Sequence, residues 1–440
     1  MRIVNGIGRQ AVIVVHGMGE QRPMDTLRDF VKGVKSKLEE NNAREKDSTI
    51  RSKPDSVGDI YETARLSMDS IDGRPITDFY EFYWAHNMRD TKVSQLLVWL
   101  KKVVFKWVTK VPPRLRPVWI TAWSLILLSM IGTLIFFKFT DPTWLKKIGT
   151  ALGAGALTTF ILTSIGAFIK SSILKSLGDV ARYLTPIPDN IAERSHIRQQ
   201  GIQFLEKLHT LQDITQVDRI IIVAHSLGTV VAYDLIRLLW TKYNESSSKP
   251  SIAQPPALVA VSNFAAAPST IDQSDHQNFQ DAQQACWREQ RGLGNPWLVT
   301  DFVTLGAALN AAEYFMQTNT DIQELIEQRE MPVCPPVTDP PKNVIYYPHM
   351  LPLQPPAKRR KSVQVLHHGA PFGVIRWTNI FYTSDFVGGA MQRIFGQGIR
   401  DVPIERSSPW FYPGGHTAYW DKDDKNNALD KIVEAMKLYP

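Results

Sequence analysis

Short runs of branched apolar residues punctuate the chain, and each one stops at a turn residue. Ala11 to Val15 runs into His16-Gly17, Arg219 to Val223 into Ala224-His225-Ser226, and Phe302 to Leu305 into Gly306. Val374 to Tyr382 and the shorter Ile399 to Ile404 follow. Apolar runs without alternation mark strands covered on both faces, as in a parallel sheet flanked by helices. Between them the apolar residues recur at helical spacing over Met24 to Leu38, His196 to Leu211 and Thr229 to Trp240. A closing helix over Ala428 to Leu438 has Leu429, Ile432, Val433 and Met436 on one face. Strands alternating with helices predict an α/β protein with a doubly wound, mostly parallel sheet. Ser246 to Pro256 reads as a surface loop. So does Pro332 to Pro356, whose nine prolines cannot continue a helix or a central strand. The first apolar stretch is only five residues long, too short for a signal peptide, and is expected to be a strand.

Two longer segments break this pattern. Pro117 to Phe137 has 21 residues and Ile148 to Ile169 has 22, neither with a charge. At 1.5 Å per residue each reaches ~30 Å, the thickness of a bilayer core, so the pair is expected to form a transmembrane helical hairpin. Gly149, Ala151, Gly153 and Gly155 are spaced to let one helix approach its neighbour, with Ser129 and Gly132 as facing positions. Upstream, Leu96, Leu97, Leu100, Val104, Trp107 and Val108 oppose Lys92, Lys102, Lys106 and Lys110. That division suits a helix lying in the interface plane, or an amphipathic helix packed on the rest of the chain. The expected organisation is therefore residues 1–90 and 176–440 as two parts of one domain, with the insertion 91–175 carrying the amphipathic helix and the hairpin.

The net charge of +7 fits this reading, because six Lys/Arg crowd between Lys101 and Arg116, directly before the first apolar segment. A basic belt beside an apolar span belongs at a membrane surface, and no nucleic-acid-binding signature accompanies it. With Lys170, Lys175 and Arg182 the flanks carry nine basic residues, against Lys138, Lys146 and Lys147 in the loop between the spans. The positive-inside rule then places both termini in the cytosol, and an even number of spans lets Ala11 to Val15 and Arg219 to Val223 share one sheet. Cys286 and Cys334 are too few for a disulfide framework or a four-ligand zinc site.

The chemistry concentrates in Val223-Ala224-His225-Ser226-Leu227-Gly228-Thr229, a strand-turn-helix sequence. A serine at such a turn is lifted above the sheet, and the turn closes only if the residues two before and two after are small, as Ala224 and Gly228 are. Ser226 is the expected nucleophile. The oxyanion formed on an attacked carbonyl needs two donors. The Leu227 N–H at the helix start is one, and the Met18 N–H in His16-Gly17-Met18-Gly19 is the other. His16 itself reads as a residue that pins this loop. The base should follow the last strand, which selects His416 in Gly414-Gly415-His416. His225 would point away from the serine, and His367 and His368 precede a strand. Asp385, after Ile380-Phe381-Tyr382, is the acid expected to orient His416, with Glu313 as a rival.

These segments resemble the α/β-hydrolase superfamily over roughly residues 1 to 90 and 176 to 440. Val15-His16-Gly17-Met18-Gly19-Glu20 and Ile222 to Asp234 are similar to segments of intracellular lipases of the phospholipase A1 type. Asp301 to Gly306 is similar to a strand that in such lipases ends in Gly-Ser-Pro, where this chain has Ala307-Ala308. The resemblance implies a serine hydrolase with the chain order Ser226, Asp385, His416, cleaving carboxylic esters through an acyl-enzyme without metal or organic cofactor. With a bilayer anchor, lipid or acyl esters are the expected substrates. An acyltransferase using the same triad, or a non-catalytic membrane interaction protein on the same scaffold, are the alternatives.

Overall fold

The computed structural model describes residues 6–17, 22–58, 60–87, 188–211, 215–268, 271, 275–311, 321–353, 360–385, 387–405, 414–421 and 428–440, with single positions at 107, 116, 119–120, 123–124, 127 and 183. The chain forms two compact units, Met1–Asn87 with Ile191–Pro440, and Met88–Asn190. In the second, Arg116, Trp119, Ile120, Trp123, Ser124 and Leu127 are helical, and the rings of Trp119 and Trp123 lie 5.9 Å apart. Among the described residues no helix is long and apolar enough to cross a membrane. Most of the Pro117 to Phe137 segment, all of Ile148 to Ile169 and the Lys92 to Lys110 helix except Trp107 lie outside the described residues.

The first unit is built on an eight-stranded sheet of order β10-β9-β6-β5-β1-β4-β3-β2. Its strands are β1 (Arg9–Val15), β2 (Ile50–Pro54), β3 (Ala64–Met68), β4 (Ile76–Glu81), β5 (Arg219–His225), β6 (Val299–Leu305), β9 (Arg376–Tyr382) and β10 (Arg400–Ile404). A separate antiparallel pair holds β7 (Tyr346–Met350) and β8 (Ser362–Leu366). From β4 through β1, β5, β6 and β9 to β10 every pairing is parallel; β3 and β2 add an antiparallel edge. This is a mostly parallel mixed sheet with helices, an α/β architecture. β1, β5, β6 and β9 are buried along their whole length; β1 and β5 therefore carry uninterrupted apolar runs, while β6 and β9 interleave polar residues such as Asp301, Thr304, Arg376 and Asn379 that bond one another inside the sheet. β10 sits at the edge, where Pro403 costs no central ladder bond.

The helices are α1 (Asp25–Asn41), α2 (Pro188–Thr210), α3 (Gly228–Tyr243), α4 (Pro256–Ala266), α5 (Asp275–Gly292), α6 (Ile322–Glu327), α7 (Gln392–Phe395), α8 (Gly414–Thr417) and α9 (Ala428–Met436). α1 and α9 pack together on one side of the sheet, with Leu27, Phe30, Val31 and Val34 meeting Leu429, Ile432 and Met436 in a core that includes Val12, Ile221 and Val303. α3 packs along β5 and β1, and α2 closes against it at Gly201, where a β-carbon would fall 2.5 Å from Leu235.

Three features depart from the sequence expectations. β2, β3 and β4 carry no apolar run: β4 buries Asp78 and Glu81, where one oxygen of Asp78 accepts from Arg9 and one oxygen of Glu81 from the Met24 N–H. α5 turns a polar face inward, with Gln283 donating to the Phe372 and Ile375 carbonyls at 2.7 Å. The proline-rich stretch is not simply a surface loop, since Met331 to Pro336 is buried and Pro348 lies in β7, opposite Gln364. A two-stranded sheet has only edge strands, so the missing N–H is tolerated.

A buried ion cluster ties the lower ends of three strands together. Asp301 accepts from Arg219 at 2.6 Å, from Arg376 at 2.7 and 2.9 Å and from Thr300 at 2.6 Å, while Arg219 also donates to the Met436 and Lys437 carbonyls at the end of α9. Burial pushes the Asp301 carboxyl up, Arg376 and Arg219 pull it down further, and the pKa settles at about 2. Asp301→Asn strands two buried guanidinium groups and is expected to destabilise the fold by about 3–5 kcal/mol, read as a lower unfolding temperature. Because the folded pKa lies below the unfolded value of about 3.9, the stabilisation is full above pH ~4 and is lost as pH falls through about 2.

Candidate active site

Parallel pairing brings the carboxyl ends of β1, β5, β6 and β9 to one edge of the sheet. His16-Gly17, Ser226, Gly306 and Asp385 therefore emerge as neighbours although up to 369 positions separate them. Such an edge is where open parallel sheets collect their functional groups.

Ser226 and Leu227 alone join β5 to α3, and the Ser226 backbone takes the left-handed conformation, φ 53°. For a non-glycine residue this costs ~1–3 kcal/mol, and surrounding bonds over-determine it. The Ser226 N–H donates to the Leu305 carbonyl at 3.0 Å, and the Ser226 carbonyl accepts from the Thr229 hydroxyl at 2.6 Å. Gly228 is a steric necessity, since a β-carbon there would lie 2.3 Å from the Val15 carbonyl oxygen and 2.4 Å from that of His16. Leu227 is the N-cap of α3, so its N–H is among the first-turn donors that have no intrahelical acceptor and lie at the positive end of the helix dipole.

The serine hydroxyl donates to His416 Nε2 at 2.8 Å. His416 Nδ1–H donates to both carboxylate oxygens of Asp385, at 2.9 and 3.1 Å, which fixes the tautomer that leaves Nε2 as acceptor. Asp385 accepts two further bonds, from the Tyr419 hydroxyl at 2.7 Å and the Val387 N–H at 2.8 Å. Burial raises its pKa, but His416 beside it and these hydrogen bonds hold the carboxyl well below the usual range. Gly306, φ 52°, and Gly388 leave room for it: β-carbons there would stand 2.7 and 2.9 Å from Asp385 Oδ2. All three side chains are buried, with Ser226, Asp385 and His416 at 5%, 2% and 8% exposure. The array can take a proton from the serine, hold it as an imidazolium and return it.

Gly17 lies against this array, and its neighbour His16 braces the strand end. His16 Nδ1–H donates to the Gly17 carbonyl at 2.7 Å, its ring stacks on Trp84 at 5.8 Å, and its carbonyl accepts from the Trp84 indole. Burial holds it neutral, with the pKa lowered to about 4. Met18, the second expected oxyanion donor, and Glu313, the rival acid, lie outside the described residues. His367 sits near the other end of α3, where its carbonyl accepts from Trp240.

Two neighbours escaped the sequence reading. Tyr419 stands next to the predicted base loop, but only the fold turns its hydroxyl onto Asp385. The sequence expectation for His225 is only that it turns away from the serine, and the fold adds where its ring goes: its centroid is 4.9 Å from that of His416. Among the described residues no group of three or more His, Cys, Asp or Glu could hold a metal ion. Cys286 and Cys334 are buried free thiols, their pKa values pushed up by burial.

Comparison with family models, with curated proteins and with solved structures finds no match for this chain.

The glycine at 17 is testable directly. A β-carbon there would come 2.7 Å from that of Ser226 and 3.3 Å from its Oγ. Gly17→Ala is expected to slow modification of Ser226 by a fluorophosphonate ~10²-fold and to lower the unfolding temperature as well, because the added carbon meets the Ser226 β-carbon and the His225 carbonyl at a buried turn that must shift to admit it.

Proposed function

We propose that this chain is a membrane-anchored serine hydrolase of the α/β-hydrolase superfamily that cleaves carboxylic esters, with lipid or acyl esters as its substrate class. The observation that carries the reading is the unbroken sequence from the strained Ser226 hydroxyl through His416 to Asp385. The order of the sheet supports it as well, with nucleophile, acid and base following β5, β9 and β10 at the same edge.

In this reading Ser226 Oγ attacks the ester carbonyl as His416 Nε2 takes its proton. The tetrahedral oxyanion is bound by the Leu227 N–H and, from the β1 loop, by the Met18 N–H. His416 then protonates the leaving alcohol, and the acyl group stays on Ser226. Water enters, gives a proton to His416, attacks the acyl carbonyl and releases the carboxylic acid, restoring the serine. Asp385 stays ionised throughout and stabilises the imidazolium. No step calls for a metal or organic cofactor. The apolar segments Pro117 to Phe137 and Ile148 to Ile169 support the anchor and the preference for lipid, and the basic flanks support a cytosolic catalytic unit.

Fluorophosphonate labelling and p-nitrophenyl ester hydrolysis by the intact protein test the chemistry. Ser226→Ala and His416→Ala are expected to lower turnover by ~10⁴ to 10⁶, and Asp385→Asn is expected to leave a small residual rate. Equal labelling of wild type and Ser226→Ala would remove the nucleophile, and full activity in Asp385→Asn would move the acid elsewhere.

The anchor is tested with single cysteines at Thr143 and Asn426, after replacing Cys286 and Cys334 by alanine. On sealed cells an impermeant thiol reagent is expected to reach position 143 alone. Labelling at neither position, with release of the protein by alkaline carbonate, would show that the apolar segments do not span.

A further inference from the structure

The residue before the nucleophile has no part in the chemistry above, yet it holds the base. His225 Nε2–H donates to the backbone carbonyl of His416 at 2.7 Å. The acceptor is a carbonyl, so the proton must sit on Nε2, and the tautomer is set by geometry. The ring is enclosed by the elements that carry the base: centroids of His416, Trp420 and Tyr419 lie 4.9, 5.1 and 5.7 Å away.

The bond matters because of what each end is attached to. His416 lies on α8, a helix of four residues, whose terminal carbonyls lack intrahelical donors and must find them elsewhere. His225 lies at the end of β5, a fully buried central strand paired to β1 and β6, and Leu305 stands opposite it in the ladder. The next residue along that strand is Ser226. One rigid piece of backbone therefore carries both the nucleophile and the donor that locates the base. We propose that His225 is a positioning residue, whose Nε2–H pins the His416 backbone to β5 and so sets the distance between Ser226 and the imidazole. This rests on the reading of Ser226 as nucleophile.

The electrostatics agree with the geometry. Burial, and His416 alongside, lower the His225 pKa to about 3, so the ring stays neutral at physiological pH. A neutral donor fixes the base without adding a positive charge beside the imidazolium that His416 must become. Among the described residues His225 Nδ1, the acceptor nitrogen of that tautomer, has no hydrogen-bond partner.

Two substitutions separate pinning from packing. His225→Phe keeps an aromatic ring of similar shape and removes the donor; His225→Gln keeps an N–H at similar reach and gives up the ring. Full-length variants are compared by the rate of fluorophosphonate labelling, by kcat and KM on p-nitrophenyl butyrate, and by unfolding temperature. Pinning predicts that His225→Phe loses ~10- to 100-fold in kcat and labelling rate with KM within about twofold, since a misplaced base slows chemistry more than binding. His225→Gln is expected to recover most of that loss despite poorer packing. The proposal is overturned if His225→Phe matches wild type or if His225→Gln is the slower of the two. Should His225→Phe not fold, His225→Gln against His225→Met asks the same question at equal side-chain length, and equal rates overturn the proposal. Absence of labelling in the wild type would refute the nucleophile itself, a result distinct from labelled wild type with unaffected variants.

Discussion

The constraint on which the site depends is the passage from β5 to α3 through one left-handed residue. A strand and a helix can be joined so abruptly only if the chain bends back over itself at Ser226, and the bend is held by the Leu305 carbonyl on one side and Thr229 on the other. The same bend starts α3 directly after the serine, with Leu227 as its N-cap, and leaves the Ser226 hydroxyl on His416 while His225 reaches the His416 carbonyl. Each consequence requires a neighbour to be small: Gly17 beside the serine, Gly228 beneath the β1 carbonyls, and Gly306 beside the carboxylate.

The sheet supplies rigidity for this strained turn. Parallel pairing from β4 to β10 fixes the register of every strand that ends at the site, and the Arg219, Asp301 and Arg376 cluster clamps β5, β6 and β9 at the opposite edge. Charged groups inside a core stabilise only when fully satisfied, as Asp301 is here by four donor contacts from three residues. Strain at the carboxyl ends and close charge pairing at the amino ends are thus linked through the same strands.

The cluster around Ser226 also shows how one environment can give neighbouring ionisable groups different states. Asp385 is buried yet kept ionised, because the His416 ring, the Tyr419 hydroxyl and the Val387 N–H converge on it. His225 and His16 are held neutral because burial outweighs what favours their charged forms. His416, which accepts from Ser226, is thus flanked by two uncharged imidazoles that brace the backbone on either side.

Much of this was legible in the residues themselves. The Val/Ile runs of β1 and β5 declare buried strands because a strand covered on both faces has no polar side to show. Ala224-His225-Ser226-Leu227-Gly228 declares the sharp turn because few residue sets can close one. The positions of Asp385 and His416 after later strands follow from parallel topology. What the residues did not declare were elements whose burial depends on partners far along the chain: β4, whose Asp78 and Glu81 look exposed until they meet Arg9 and the Met24 N–H, and α5, whose Gln283 looks solvated until it meets the Phe372 and Ile375 carbonyls. Tyr419 on Asp385 and His225 on His416 belong to the same class. A hydrogen bond between residues 34 or 191 positions apart leaves no local pattern, and only the tertiary structure decides it.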